Sequence, residues 1–303
     1  MSYHEPVLLD ESVLALDLER GGVFVDATFG GGGHSRKIVD QLASGRLFAF
    51  DQDQDAIDNA FTHEKLTLIR SNFKYIKNHL RYFDAMPING LLLDLGVSSH
   101  QFDEAERGFS FRFEALLDMR MNRAQQLNAK DLLNQYTEDN LLRIFKEYGE
   151  LQNSKAIVNV IVSARLNQPI DSINDLKKIL SPLAPPWDES GFWSKVFQAI
   201  RIEVNQELAV LQDLLLDCES MMEAGARLVV LTYHSLEDRM VKKFMTKGSL
   251  SSPIEDDPAA MLFGTVEPSS FKLLHKKPIV PSADEQQKNP RSRSAHLRIA
   301  TKI

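Results

Sequence analysis

Residues 26 to 35 read Asp-Ala-Thr-Phe-Gly-Gly-Gly-Gly-His-Ser, directly after the apolar run Gly22-Val23-Phe24-Val25. An acid at a strand end, then contiguous glycines, then the start of a helix makes a loop suited to close approach. No side chain stands in the way, and glycine takes left-handed angles without penalty. The helix expected from Ser35 to Leu42 turns its free N–H groups towards the same place. The glycines do not fit the dinucleotide fingerprint G-x-G-x-x-G, because the positions three after Gly32 and Gly33 hold Ser35 and Arg36. A tight glycine turn with no ligand is the alternative.

Asp26 would repel a pyrophosphate but could hold an ammonium. S-adenosylmethionine carries a sulfonium and an α-ammonium, so it suits this loop better than a dinucleotide does. Asp51 closes the next apolar run, Arg46-Leu47-Phe48-Ala49-Phe50-Asp51, 25 residues after Asp26. An acid at that place accepts hydrogen bonds from ribose hydroxyls; capping the next helix is its other use. Phe73, after Asn72, either packs on an adenine face or joins the core. Asp94 lies in Leu93-Asp94-Leu95-Gly96-Val97-Ser98-Ser99-His100-Gln101. It faces the crevice where strand ends gather cofactor and substrate. His234, in Tyr233-His234-Ser235-Leu236-Glu237-Asp238-Arg239, is another strand-end candidate. Ser235 is the expected N-cap of the helix that follows, with Asp238 three later.

Two further segments, Glu106-Arg107-Gly108-Phe109-Ser110-Phe111-Arg112 and Leu117-Asp118-Met119-Arg120-Met121-Asn122, interleave arginine, aromatic and amide groups. That mixture can bind phosphates and stack bases. The alternative is an ordered loop held by pairs such as Arg120 with Asp118 or Asp103. The stretch Asn289-Pro290-Arg291-Ser292-Arg293-Ser294-Ala295-His296-Leu297-Arg298 supplies charge and hydroxyls for phosphate. Against a net charge of −7, the segment from Lys272 onward has eight basic residues and two acids, +6, leaving −13 on the first 271 residues. A basic element on an acidic body is compatible with phosphate contact or with a solvated surface. No metal site is expected. The eight histidines are scattered and there is no Cys-x-x-Cys. Cys218, the single cysteine, falls inside a helical stretch away from any strand end.

These groups need a scaffold, and the first third of the chain supplies its rhythm. Strands are expected at Val23–Thr28, Arg46–Asp51, Leu66–Arg70 and Ile88–Leu95. Helical patterns at Asp53–Phe61 and Phe73–Phe83 separate the later strands. That alternation predicts an α/β fold with a parallel doubly wound sheet. After Asp94 the alternation stops. Helices are expected at Ala129–Tyr136, Glu138–Tyr148, Asn153–Asn167 and Ile173–Leu180, inside a helical insert. One long helix from Val196 to Ala224 should return the chain to the sheet. A fifth strand at Arg227–Tyr233, a helix at Leu236–Lys247, and strands at Lys272–Val280 and His296–Ile303 complete it. Residues 248 to 270 read as a mobile loop.

The chain has 303 residues, 43% hydrophobic and 25% charged, an ordinary globular composition with room for two domains. With one cysteine there is no disulfide framework, and a reducing compartment fits. The opening Met-Ser-Tyr-His-Glu-Pro does not read as a signal peptide, and no apolar run approaches membrane-spanning length. A cytoplasmic location is expected.

Taken together, DATFGGGGHS, LLLDLGVSS, ERGFSF, LDMRM, FQAIRIEVN, HSLEDR and NPRSRSA resemble the bacterial ribosomal RNA small subunit methyltransferase H (MraW-type) family almost end to end. The resemblance implies a class I methyltransferase core (Rossmann-like), residues 1–103 with 201–303, and an inserted helical substrate-recognition domain, residues 104–200. It implies methylation of N4 of cytidine 1402 (conventional numbering) in 16S rRNA of the small ribosomal subunit, with S-adenosyl-L-methionine as cofactor. The family's cofactor positions fall on Gly32, Gly33, His34, Asp51, Phe73, Asp94 and Gln101. As catalytic residues, Asp94 is expected to accept a hydrogen bond from the reacting amine and His234 to position it or remove its proton. His100 stands where the family usually has Pro, and Tyr233 where it usually has Phe. No membrane partner is expected, and monomer and homodimer both remain open.

Overall fold

A computed structural model describes residues 6–248, 250 and 269–303. The loop expected over 248 to 270 lies, apart from its ends and Leu250, outside the described residues. The chain divides into two compact units, Met1–Gly96 with Ala209–Ile303, and Val97–Leu208. The sequence places the insert at 104–200, so the unit borders differ at both ends.

The first unit begins with α1 (Leu9–Ala15), β1 (Gly22–Asp26), α2 (Gly33–Gln41), β2 (Gly45–Asp51) and α3 (Gln54–Asp58). It continues through β3 (Leu66–Arg70), α4 (Ile76–Tyr82) and β4 (Ile88–Asp94). The second unit carries α5 (Ser99–Asp103), α6 (Ala129–Gln135), α7 (Glu138–Glu147), α8 (Ser154–Arg165), α9 (Ile173–Leu180) and α10 (Glu189–Asn205). The chain then resumes the first unit with α11 (Glu207–Met221), β5 (Met222–Thr232), α12 (Ser235–Lys247), β6 (Phe271–Leu273), α13 (Ala283–Lys288) and β7 (His296–Lys302).

The seven strands form one sheet in the order β3-β2-β1-β4-β5-β7-β6. The first five named pair in parallel, and β7 runs antiparallel to both β5 and β6. This is the class I methyltransferase arrangement. The order reverses between β1 and β4, the switch point beside which such sheets bind ligands. The alternation of side chains explains why the central strands read as unbroken apolar runs. Leu91, Leu93, Leu228 and Val230 pack on one face against α4, α11 and α12. Leu92, Val229 and Leu231 pack on the other face against α1 and α2. A strand covered on both faces has no polar side to show.

The second unit has its own core. In α7, Leu141, Ile144 and Phe145 are buried on one stripe, and Thr137 caps the helix by accepting the N–H of Asn140. In α9, Ser172 and Asp175 form a reciprocal capping box. Trp193, Val196, Phe197 and Ile200 of α10 complete this core.

Some expected elements differ. The single helix expected from Val196 to Ala224 is two, α10 and α11, broken where Gln206 takes a left-handed φ of 52°. Strand β5 starts earlier than Arg227, at Met222. The expected strand Lys272–Val280 shrinks to β6, with Ile279 returning only as an isolated bridge to Leu297. Pro278 interrupts the run, and a proline cannot donate to a ladder.

Candidate active site

The glycine loop is stitched to both neighbouring strands. The N–H of Ala27 donates to Leu92 O at 2.9 Å, and that of Phe29 to Phe50 O at 2.8 Å. Helix α2 starts inside the glycine run, at Gly33, so its free N–H groups lie within the loop itself. Gly32 takes a left-handed φ of +76°, and a Cβ there would stand 2.7 Å from Phe29 Cζ. A Cβ on Gly33 would run into Pro6.

Asp26 and Asp51 brace this loop from opposite sides. Ser35 Oγ donates to Asp26 Oδ2 at 2.6 Å, and the N–H of Thr28 to Oδ1 at 3.1 Å. Asp26 is fully buried, with its carboxylate engaged by Ser35 and Thr28. Burial pushes its carboxyl above the usual range, and the charge of Asp94 adds to the rise. Asp51 Oδ2 accepts the N–H of Gly30 at 2.8 Å and Oδ1 that of Asp53 at 2.8 Å. Burial raises Asp51 to about 6, against the pull of those two backbone bonds. Capping of α3 falls to Asp53, which accepts the N–H of Asp55. Asp51 is thus released from the capping alternative and faces the loop.

Asp94 stands at the end of β4, next to β1 on one side and β5 on the other. Its N–H donates to Thr28 Oγ1 at 2.7 Å, which fixes its backbone against the loop. The phenol of Tyr233 donates to Oδ1 at 2.7 Å. Nδ1 of His34, from α2, lies 3.7 Å from Oδ2. Burial raises the Asp94 carboxyl to about 7; the Tyr233 bond pulls it down and Glu237 pushes it up. Burial also lowers the imidazole of His34, and its Nε2 is buried without a hydrogen-bond partner among the described residues. Nothing local in the sequence announces the Tyr233–Asp94 contact. It joins residues 139 apart, and only the β4–β5 register, with Asp94 opposite Leu231, brings them together.

The other expected residues have contacts of their own. His234, not Ser235, caps α12: its Nδ1 accepts the N–H of Glu237 at 3.4 Å. Glu237 Oε2 in return accepts the N–H of Tyr233 at 2.9 Å. Nε2 of His234 lies 3.1 Å from Glu237 Oε1, outside hydrogen-bond alignment. Phe73 is half-buried and packs against the sheet core that includes α4 and α11. Gln101 belongs to the second unit, where it and Ser98 form the capping box of α5.

The family model for the MraW methylase family matches residues 1–303. The chain belongs to the MraW methylase family. A protein of Bacteroides fragilis (strain YCH46) called ribosomal RNA small subunit methyltransferase H is 50% identical over 302 residues, 99% of this chain and 98% of that one. One of the same name from Cytophaga hutchinsonii is 48% identical over 300 residues, 98% of this chain and 99% of that one. A solved rRNA methylase from Streptococcus thermophilus aligns at a TM-score of 0.40 and 10% identity, covering 97% of this chain and 93% of that chain.

In this member of the MraW methylase family several expected phosphate ligands are already engaged. Arg120 makes a bidentate pair with Asp118 at 2.9 and 2.8 Å and also donates to the carbonyls of Arg123 and Gln125. The ordered-loop alternative therefore holds for Arg120. Burial raises Asp118, but Arg120 prevails and the carboxyl sits below its usual range. Arg107 is buried and donates to the carbonyls of Arg120 and Met121 at 3.0 and 3.2 Å. Asn205, the last residue of the FQAIRIEVN motif, clamps the same loop. Its Oδ1 accepts the N–H of Met121 and its Nδ2 donates to Met119 O, both at 2.8 Å. Among the basic residues from Lys272 onward, Arg298 is buried against Asp238, and Lys302 Nζ donates to Met222 O at 2.8 Å. Lys272, Lys276, Lys277, Lys288 and Arg293 remain exposed. Among the described residues no helix is long and apolar enough to cross a membrane.

Proposed function

We propose that this chain transfers a methyl group from S-adenosyl-L-methionine to N4 of cytidine 1402 in 16S rRNA of the small ribosomal subunit, in the cytoplasm. The observation that carries the reading is the carboxylate cluster of Asp26, Asp51 and Asp94 around a glycine loop. It occurs in a chain about half identical, over its full length, to proteins named for methylating small-subunit rRNA. Burial raises the proton affinity of all three acids. A cation placed among them relieves that cost, which suits a sulfonium and an ammonium.

Gly32 and Gly33 would give the cofactor its close backbone approach, and His34 a buried ring nitrogen still lacking a partner. Asp51 keeps lone pairs beyond its backbone bonds for a ribose diol. The half-buried ring of Phe73 would carry the adenine, and the resemblance makes Gln101 a cofactor residue as well. The bound cofactor supplies a methyl group already activated on sulfur. The protein must then align a poor nucleophile, because the cytosine amine is delocalised into its ring. Alignment of this kind supplies roughly 7–11 kcal/mol. Asp94 accepts one N4–H, which concentrates electron density on the nitrogen, and then takes that proton as the new C–N bond forms. Burial makes the Asp94 carboxyl a better proton acceptor than an exposed carboxylate. His234, held by Glu237, positions the chain leaving β5. The target base must be unstacked, at a cost of a few kcal/mol. The second unit and the exposed cations of residues 272–293 hold the surrounding RNA.

The test is mass spectrometry of rRNA nucleosides from small subunits treated with the wild-type protein and with Asp94→Asn. The wild type should produce N4-methylcytidine at one position. Asp94→Asn should bind cofactor and lose about 10²–10⁴ in rate. Methyl transfer to another acceptor, or binding without transfer, would overturn the assignment.

A further inference from the structure

Tyr233 follows β5, and its phenol reaches across the end of the sheet to Asp94 on the neighbouring strand, 2.7 Å from Oδ1. The residue is pinned at its other end by the bond from its N–H to Glu237. Its ring lies over the chain leaving β4: a Cβ on Gly96, where φ is +94°, would stand 3.6 Å from Tyr233 Cδ2. With Oδ1 occupied, Oδ2 is the oxygen left for a substrate. Its neighbour, Nδ1 of His34, is too far at 3.7 Å for a hydrogen bond.

We infer that Tyr233 is a positioning residue for methyl transfer: it occupies Oδ1 of Asp94 and presents Oδ2 to the exocyclic amine of the target cytosine. The inference rests on the acceptor role proposed for Asp94. The groups facing Asp94 are Asp26 on β1, His34 on α2, Glu237 on α12 and Tyr233 itself. Glu237 carries like charge and favours the protonated acid, and burial lowers the proton affinity of His34. Tyr233 is the member of this group whose hydrogen bond stabilises the charged form.

The experiment compares full-length wild type, Tyr233→Phe and Asp94→Asn. Methyl transfer to small subunits is followed across the pH range in which Asp94 titrates. The Asp94 carboxyl is titrated by carbon-13 NMR, with Asp94→Asn as the assignment control. Tyr233→Phe should move both the acid limb of the rate profile and the carboxyl midpoint upward by about one pH unit. Its rate should recover towards wild type at high pH, with cofactor affinity little changed. A rate lowered equally at every pH, or an unmoved midpoint, overturns the inference. If Asp94→Asn keeps wild-type turnover, the acceptor reading itself falls. If Asp94→Asn is inactive while the Tyr233→Phe profile stays in place, only the role of Tyr233 falls. A tyrosinate absorbance titration covers the case in which Tyr233→Phe does not fold. Burial and the Asp94 charge hold the Tyr233 phenol well above its usual range, so one tyrosine should titrate earlier in Asp94→Asn. An unchanged curve refutes the contact.

Discussion

Ser35 Oγ and Asp26 Oδ2 lie 2.6 Å apart, so the first turn of α2 is tied to the end of β1 across the whole glycine loop. Both groups are buried. The loop is therefore closed by a side-chain bond at its base and by the bond from Gly30 to Asp51 on its flank. Its shape is set before any ligand arrives, which lowers the ordering cost of binding.

Ser35→Ala removes that base and leaves Asp26 short of a donor. A hydrogen bond to a charged group contributes about 1.5–3 kcal/mol. Melting should show a loss of that order, and calorimetry a roughly tenfold weaker cofactor affinity, since 1.4 kcal/mol is about a factor of ten. An unchanged melting temperature would sink the idea.

Gly32→Ala should be worse for binding than for folding. At φ +76° an alanine costs about 1–2 kcal/mol, and its Cβ would press on Phe29. Cofactor affinity should fall by more than about tenfold while circular dichroism stays that of the wild type. Retained affinity would show that the loop backbone is not in contact with the ligand.

The raised carboxyls make stability fall with rising pH. Asp51 at about 6 and Asp94 at about 7 both exceed the ordinary 3.8. The folded state therefore binds protons that the unfolded chain has released. Their contribution is fully present below about 3.8 and is lost as pH rises through 6 and 7. A cationic cofactor reverses the preference. Calorimetry in buffers of different ionisation enthalpy should detect proton release on binding S-adenosylmethionine between about pH 6 and 7. Proton uptake, or none, would contradict the carboxylate cluster as the binding site.

Arg298 and Asp238 make a bidentate pair at 2.6 and 2.7 Å that locks α12 onto β7. Burial raises Asp238 but Arg298 prevails, and the carboxyl sits below its usual range. Its contribution is thus present above about 3.8 and is lost as pH falls through the lower folded value. Asp238→Asn strands a buried guanidinium and should cost about 3–5 kcal/mol in urea unfolding. A cost below about 1 kcal/mol would place the pair among exposed ion pairs instead.

Asn205→Ala removes the bonds to the N–H of Met121 and the carbonyl of Met119, each worth about 1–3 kcal/mol when buried. Hydrogen exchange should quicken at residues 119–121 while the sheet strands keep their protection. Uniform quickening would point to global destabilisation instead.

What can be read from the sequence follows from local physics. The run at Leu91–Leu93 announces a strand covered on both faces, and the stripe Leu141, Ile144, Phe145 announces α7. Asp51 and Asp94 are legible as strand-end acids for the same reason. The break at Gln206 is not legible, because no glycine or proline marks it and both flanking helices are rich in apolar residues. Helix α13 has a readable signal: Ser282 followed by Glu285, whose N–H the serine accepts. A histidine cap is an unusual choice, so His234 hid behind Ser235. The bond from Tyr233 to Asp94 needs the strand register, which pattern alone does not supply.

Strand β7 is made after every other strand, yet it lies between β5 and β6. While residues 296–302 are still inside the ribosome, β5 has an open edge, and β6 has no strand to pair with. The sheet can be sealed only after those residues emerge. A nascent chain stalled a few codons short of them would leave the backbone groups of Leu228 and Val230 unpaired and uncover the side chains of Val229 and Leu231, a surface that invites chaperones and aggregation.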